Sequence, residues 1–260
     1  GEFFTVAGPL LVPAGPQGRP VIVQAGGSPG GRALAGRFAD VVFTAAQTRE
    51  QAVAFREDIR RRAAEAGRHP DEVKVSLGVV VLTAATEAEA RRREQELYAT
   101  LPVERLTGVF LRNLGLPAGA FGPDDPITEA DLPAVIPDAA FSAGFSASLR
   151  ALIAAAPRTP RELIQRSAGG SGHRLLVGSA EQVADDLADW FAAGAADGFT
   201  IMPADASVDF ANFATLVVPI LQERGLFPRE YRHPTLRGRL GLPLRGRAAG
   251  GHSAGAARPA

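Results

Sequence analysis

The residues of this chain best suited to chemistry lie in a short glycine-rich turn, Gly26, Gly27 and Ser28. A strand-like apolar run at 21–23 precedes the turn, and Ser28 followed by Pro29 is a typical helix start with serine as the N-cap. A helix that begins just after a strand presents free backbone N–H groups, and the serine adds a hydroxyl. These three residues are therefore candidate ligands of a phosphate or another anion.

The turn does not match the two best-known phosphate-binding motifs. The run at 26–31 reads GGSPGG, so its third position is serine where G-x-G-x-x-G requires glycine, and no Gly-Lys-Ser/Thr follows. Ser28 also lies outside any G-x-S-x-G elbow, which argues against a hydrolase. From the residues alone, an anion site and an ordinary strand-to-helix connection both stay open.

The other chemically capable side chains give weaker signals. No histidine pairs with a second histidine or a carboxylate at ligand spacing, so we expect no metal site, and no catalytic residue is assigned. For His173 we expect a structural hydrogen-bonding role, with contact to the active site as the alternative, and for Asp197 a structural role at a strand start. The cluster at 91–93 is flanked by glutamates, which predicts a solvated face for its three arginines.

Composition narrows the class of protein. The 260 residues are 46% hydrophobic with zero formal net charge, which allows a substantial core and gives no electrostatic sign of nucleic-acid or membrane binding. The absence of cysteine excludes disulfides, zinc–thiolate sites and thiol nucleophiles. No apolar run approaches the roughly 18 residues of a membrane span. We expect a cytoplasmic protein.

Strand-like and helix-like segments alternate along the chain, which predicts an α/β fold with a parallel sheet and helical cover. About four strands are expected, near 21–24, 40–44, 73–83 and 197–202, with helices capped by Thr48, Thr86 and Ser179. Repeated prolines at 101–172 predict an insertion with short helices. We expect one domain at 1–242 and a disordered tail at 243–260.

Four segments resemble the C-terminal part of the bacterial-luciferase-like flavin monooxygenases, and within them the nitrilotriacetate, EDTA and dibenzothiophene-sulfone monooxygenase group. They lie at 8–43, which contains the turn sequence QAGGS, and at 172–199, 209–226 and 231–242. The resemblance implies about the last four β/α units of a (β/α)₈ TIM barrel, with an insertion. The chain begins at Gly1, so the resemblance also implies a truncated chain that lacks the first strands.

The resemblance implies a two-component monooxygenase that uses reduced FMN, supplied by a separate NAD(P)H:flavin oxidoreductase, and O₂. The substrate would be a small molecule such as an aminopolycarboxylate, an organosulfur compound or an alkane. Ser28, with Gly26 and Gly27, would hold the FMN phosphate, although relatives often have serine in place of Gly27. The full-length protein would form a homo-oligomer. Two alternatives are an inactive half-barrel remnant and a module that binds F420 or a phosphate ligand without monooxygenase activity.

Overall fold

The structure, a computed structural model, describes residues 2–8, 12–135, 143–167 and 172–243. Its centre is a parallel sheet, whose strands are β1 (Val23–Ala25), β2 (Val41–Thr44), β3 (Lys74–Ala84), β4 (Arg174–Ser179) and β5 (Gly198–Pro203). The sheet therefore has one strand more than expected. The additional strand is β4, which is built on a short apolar run at 175–177.

The helices alternate with the strands as the pattern predicted. Their bounds are α1 (Pro29–Phe38), α2 (Arg49–Glu65), α3 (Glu87–Thr100), α4 (Val103–Leu114), α5 (Ala143–Ala155), α6 (Pro160–Arg166), α7 (Ala180–Ala192), α8 (Asp209–Asn212), α9 (Val218–Glu223) and α10 (Leu236–Arg239). The predicted N-caps Ser28, Thr48, Thr86 and Ser179 are confirmed, because each side chain accepts a backbone N–H of the first turn. A π-helical segment at Phe213–Val217 joins α8 to α9.

β2 and β4 both pair with β3, each with a different part of that strand. β2 pairs with the first part of β3, from Lys74 to Leu77, and β4 pairs with the second part, from Val79 to Ala84. β5 pairs with β3 from Ser76 to Val81, a range that overlaps both of these parts. Because a residue can pair with only one strand on each edge, β5 lies on one edge of β3, and β2 and β4 share the other. Across the sheet, β1, β2, β3 and β5 therefore lie in the order in which they occur in the chain, although β4 comes between β3 and β5 in the sequence. Among the described residues, β1 and β5 each pair along one edge only.

The two faces of β3 have different surroundings. Leu77, Val79 and Val81 are fully buried on the face that α7 covers, in a core that includes Leu187 and Trp190. The alternate residues of β3, among them Ser76 and Gly78, face the opposite side, where the Ser76 hydroxyl lies 2.7 Å from that of Thr200 on β5. We call this side the inner face of the sheet. The side chains along that inner face are the ones that a ligand above the strands would meet.

The proline-rich segment predicted as an insertion contains α4, α5 and α6. These helices share an apolar core of their own, whose fully buried members include Phe110, Leu111, Leu149, Leu163 and Ile164. Residues 136–142 and 168–171 of this segment lie outside the described residues.

The described residues between 22 and 230, which contain the whole sheet, form one compact unit, and those between 2 and 21 form a second unit with 231–243. In the second unit, Arg237 is buried and its Nε donates to the Pro243 carbonyl at 3.0 Å. The predicted disordered tail lies, beyond residue 243, outside the described residues. No helix in the described ranges is long and apolar enough to cross a membrane.

Candidate functional site

The glycine-rich turn lies at the carboxyl end of β1, directly before α1. Gly26 has φ of +154°, a conformation that side chains disfavour, and a Cβ there would stand 2.9 Å from Nε2 of Gln24. The Oγ of Ser28 accepts the Gly31 N–H at 3.1 Å, which leaves the serine hydroxyl hydrogen free to donate. The structure thus brings the three predicted residues together, with the serine at the first turn of the helix.

Arg32, on α1, binds the backbone of this turn. Its Nε donates to the carbonyl of Gly27 at 2.8 Å, and its guanidinium lies 3.3 Å from Asp58 and stacks over the Phe55 ring at 4.8 Å. Burial alone would raise the pKa of Asp58, but hydrogen bonds from Arg62 and Arg32 outweigh burial and lower it. The carboxylate therefore stays ionised and keeps Arg32 in place.

The turn has the open hydrogen-bonding capacity that an anion requires. Within the described ranges, the N–H groups of Gly27 and Ser28 make no hydrogen bond. A Cβ built on Gly30 would meet nothing within 4 Å, and one on Gly27 would meet only the Gly144 Cα, at 3.7 Å. Two N–H groups without a partner among the described residues, beside the hydroxyl of the exposed Ser28 at a helix N-terminus, fit a phosphate group.

A second polar group lies at the carboxyl end of β2, and sequence reasoning missed it. Gln47 is only 8% exposed, and its Nε2 donates to the carbonyl of Gly172 at 3.1 Å. Gly172 has φ of +71°, and a Cβ there would stand 2.3 Å from the Phe145 ring, so this position requires glycine. Gln47 and Phe145 together fix the backbone that leads into the next residue, His173.

His173 lies on the inner face of the sheet, over Gly78 of β3. A Cβ on Gly78 would come within 2.3 Å of the His173 Nδ1, and the Phe43 ring packs against the imidazole at a centroid distance of 5.2 Å. Burial lowers the pKa of His173, and the Gly78 backbone offsets that shift only in part. The imidazole is therefore neutral at pH 7.

At the opposite, amino-terminal ends of the strands, two carboxylates bind backbone and side-chain groups of the protein itself. Asp197 accepts the Val75 N–H at 2.8 Å and pairs with Arg56 at 2.7 Å, which confirms its predicted structural role. Asp40, 1% exposed, accepts the Ile22 N–H at 2.9 Å in the same way at the start of β2. These carboxylates connect neighbouring strands.

The arginine cluster at 91–93 is only in part solvated. Arg91 and Arg92 are exposed as predicted, whereas Arg93 is 14% exposed and pairs with the buried Asp209 at 2.7 Å. Arg93 also donates to the Thr83 carbonyl at 3.0 Å, which Asn212 reaches at 2.8 Å. The prediction was wrong for Arg93, because its partner lies on α8 and is invisible in the local charge pattern.

The histidines give no metal centre in the described part of the chain, where no group of three or more histidine and carboxylate side chains converges. His69 accepts the Asp71 N–H at 3.2 Å in an exposed turn. His252 lies outside the described residues.

The described residues thus define an α/β fold with a parallel sheet, in which backbone N–H groups at the carboxyl end of β1 have no partner among the described residues. The luciferase-like monooxygenase family matches residues 1–197, and the chain belongs to that family. The predicted α/β fold, corresponding to part of a TIM barrel, is confirmed by the solved structures of related monooxygenases that it resembles.

Three related proteins illustrate the likeness. The chain is 43% identical to nitrilotriacetate monooxygenase component A of Aminobacter aminovorans, over 93% of this chain and 52% of that protein. The structure of EDTA monooxygenase from Chelativorans sp. BNC1 is 37% identical with a TM-score of 0.72, over 94% and 56% of the two chains. A riboflavin lyase solved with modified FMN is 26% identical with a TM-score of 0.74, over 94% and 52%. The chain thus spans about half the length of the curated relatives it matches.

Proposed function

We propose that this chain supplies the flavin-phosphate site of an FMN-dependent monooxygenase. The observation that carries the proposal is the turn after β1, where the N–H groups of Gly27 and Ser28 make no hydrogen bond to the described residues and Ser28 is exposed. A phosphate at this position would accept hydrogen bonds from both N–H groups and the Ser28 hydroxyl and benefit from the positive end of the α1 dipole. The riboflavin lyase of similar structure was solved with a modified FMN.

The neighbouring residues would hold the turn ready for the phosphate. Arg32 holds the Gly27 carbonyl, which shares a peptide plane with the Ser28 N–H, so this N–H would need little rearrangement when the anion binds. When bound, reduced FMN would supply the electrons that activate O₂ for oxygenation of the substrate. Because one relative is named component A, we propose that a separate NAD(P)H:flavin oxidoreductase delivers the reduced flavin.

For the substrate, we propose a small aminopolycarboxylate. The names of two relatives at 43% and 37% identity specify nitrilotriacetate and EDTA, which share amine and carboxylate groups. A panel that contains nitrilotriacetate, EDTA, an organosulfur compound and an alkane tests this class, with oxygen uptake as the readout in the presence of a flavin reductase. Turnover of only the organosulfur compound or the alkane would contradict it.

The phosphate site is tested by comparing Ser28→Ala with Ser179→Ala. Both serines are N-caps at a strand-to-helix turn, so each alanine variant loses a similar capping interaction, and only Ser28 lies in the glycine-rich turn. We expect Ser28→Ala to weaken FMN binding by about 1–3 kcal/mol, because the phosphate loses a hydroxyl donor. Ser179→Ala should leave FMN affinity unchanged.

Riboflavin and F420 complete the test, with fluorescence titration as the measurement. Riboflavin lacks the phosphate, so its affinity should be the same in the parent protein and in Ser28→Ala. Equal losses for FMN and riboflavin would mean that Ser28 does not contact the phosphate. Tighter binding of F420 than of FMN would replace the flavin assignment with the deazaflavin alternative.

A further inference from the structure

β2 and β4 leave a gap of one residue between them along the edge of β3 that they share, and His173 lies at this gap. β2 ends where Thr44 pairs with Leu77, and β4 begins on the same edge where Arg174 pairs with Val79. Gly78 lies between these two pairs, so neither strand covers it on that edge. The residue that enters the gap is His173, directly before β4, whose imidazole occupies the space that a side chain at position 78 would take.

The ring has a defined orientation in this gap. Nδ1 is buried against Gly78 without a hydrogen bond of good geometry to any described residue, while His173 as a whole is only half-buried. The Nε2 edge is therefore the part of the ring that faces outward over the inner side of the sheet. The Phe43 ring contacts the imidazole on one side, and the Gln47 bond to the Gly172 carbonyl holds the backbone that precedes it.

The proton of the neutral ring has a preferred position. The Gly78 backbone favours protonation of the ring, and Nδ1 is the nitrogen that faces it. A proton on Nδ1 leaves the lone pair on Nε2, which then accepts hydrogen bonds. An acceptor at the carboxyl end of β2 that receives no hydrogen bond from the described residues is suited to a bound molecule.

We propose that Nε2 of His173 accepts a hydrogen bond from an O–H or N–H group of the molecule bound above β1 and β2. The inference rests on the proposed flavin site, because β1 and β2 are paired neighbours and strands lie about 4.8 Å apart. The hydroxyl and ring N–H groups of FMN are one source of the donor, and the substrate is the other. His173 would thus fix the orientation of the flavin or of the compound to be oxygenated.

The first measurement is nitrogen NMR of the protein labelled with ¹⁵N-histidine. We expect a neutral His173 at pH 7 with its proton on Nδ1, and a shift of the Nε2 resonance when FMN, or nitrilotriacetate after FMN, is added. A proton on Nε2, a charged ring, or an Nε2 resonance that neither ligand moves would overturn the proposal.

Substitution separates hydrogen bonding from packing. Phenylalanine at position 173 retains a ring against Phe43 and over Gly78 but has no acceptor, whereas glutamine can place an amide oxygen near the Nε2 position. We expect His173→Phe to weaken FMN binding or raise the substrate KM roughly tenfold, and His173→Gln to recover much of that loss. The exposed His69→Phe is the matched control and should change neither quantity.

These measurements distinguish the flavin from the substrate as the source of the donor, and the His173 contact from the phosphate site at Ser28. A loss in FMN affinity assigns the donor to the flavin, and a raised KM with unchanged FMN affinity assigns it to the substrate. Equal effects of phenylalanine and glutamine, or wild-type values for His173→Phe, would reject the contact even where Ser28→Ala confirms the phosphate site. If Ser28→Ala has no effect while His173→Phe does, the phosphate assignment fails and the His173 contact stands.

Discussion

The two ends of the parallel sheet use polar residues in opposite ways. At the amino-terminal ends, Asp40 and Asp197 each accept a backbone N–H from a neighbouring strand, and Asp197 also pairs with Arg56. At the carboxyl ends, the N–H groups of Gly27 and Ser28 make no hydrogen bond to the described residues, and Nδ1 of His173 is buried without a partner among them. Satisfied polar groups stabilise the fold, and unsatisfied groups held by a rigid scaffold can bind a ligand.

The largest expected effect on stability comes from removing a paired carboxylate at the amino-terminal ends of the strands. Asp197→Ala removes the acceptor of the Val75 N–H and leaves Arg56 without its partner, both in a largely buried setting. We expect a loss of about 2–3 kcal/mol in the free energy of unfolding, measured by urea denaturation. The FMN affinity of the folded variant should be unchanged, since the carboxylate lies at the other end of the sheet.

The matched control for that variant is Asp185→Ala. Asp185 pairs with Arg224 on the surface and is 63% exposed, so its loss should change stability by no more than about 0.5 kcal/mol. A comparable loss in both variants, or a large drop in FMN affinity for Asp197→Ala, would remove the distinction between the two ends.

An intermediate effect is expected from closing the gap under His173. In Gly78→Ala, the new methyl group would stand 2.3 Å from Nδ1, so the imidazole must move outward. We expect a loss of about 1–3 kcal/mol in stability from overpacking, and a pKa of His173 that returns toward its ordinary value as burial decreases. Urea denaturation and NMR titration measure the two quantities.

The neighbouring Gly198→Ala provides the comparison for Gly78→Ala, because a Cβ there meets nothing within 4 Å. Gly198→Ala should lower the free energy of unfolding by less than Gly78→Ala does, and it should leave the pKa of His173 unchanged. An unchanged His173 pKa in Gly78→Ala would show that the glycine does not hold the ring buried.

The smallest effect is the pH dependence of stability. Because burial lowers the pKa of His173, the unfolded chain binds a proton at a higher pH than the folded protein does. His173 therefore makes the free energy of unfolding rise with pH between its lowered pKa and its ordinary value near 6.5, with no further gain above that value. Denaturation series across this range should be flatter for His173→Phe than for the parent protein, and an identical slope would contradict the assignment.

Much of the candidate site was predictable because its signals are local. Two glycines, a serine and a proline in a row specify a turn and a helix N-cap, and the structure shows that geometry at Ser28. The caps of α2, α3 and α7 follow the same short-range rule, since a side-chain oxygen reaches an N–H only two or three residues ahead. Alternation of strands and helices likewise predicted a parallel sheet.

Other features could not be predicted, because they depend on residues far apart in the chain. Gln47 and Gly172 are separated by 125 residues, and no local pattern indicates that the amide of one binds the carbonyl of the other. Arg93 has glutamates on either side in sequence, yet its ion-pair partner is Asp209 on a later helix. The three apolar residues of β4 gave too short a pattern to establish a fifth strand.

The sequence by itself determined the turn at Gly26 to Ser28, the helix caps and the alternating order of elements, since backbone conformation and capping depend on neighbours a few residues away. Only the tertiary structure decided that β4 would share an edge of β3 with β2, and thereby place His173 over Gly78. That choice depends on pairing register and side-chain packing between distant segments, which are set when the whole sheet assembles.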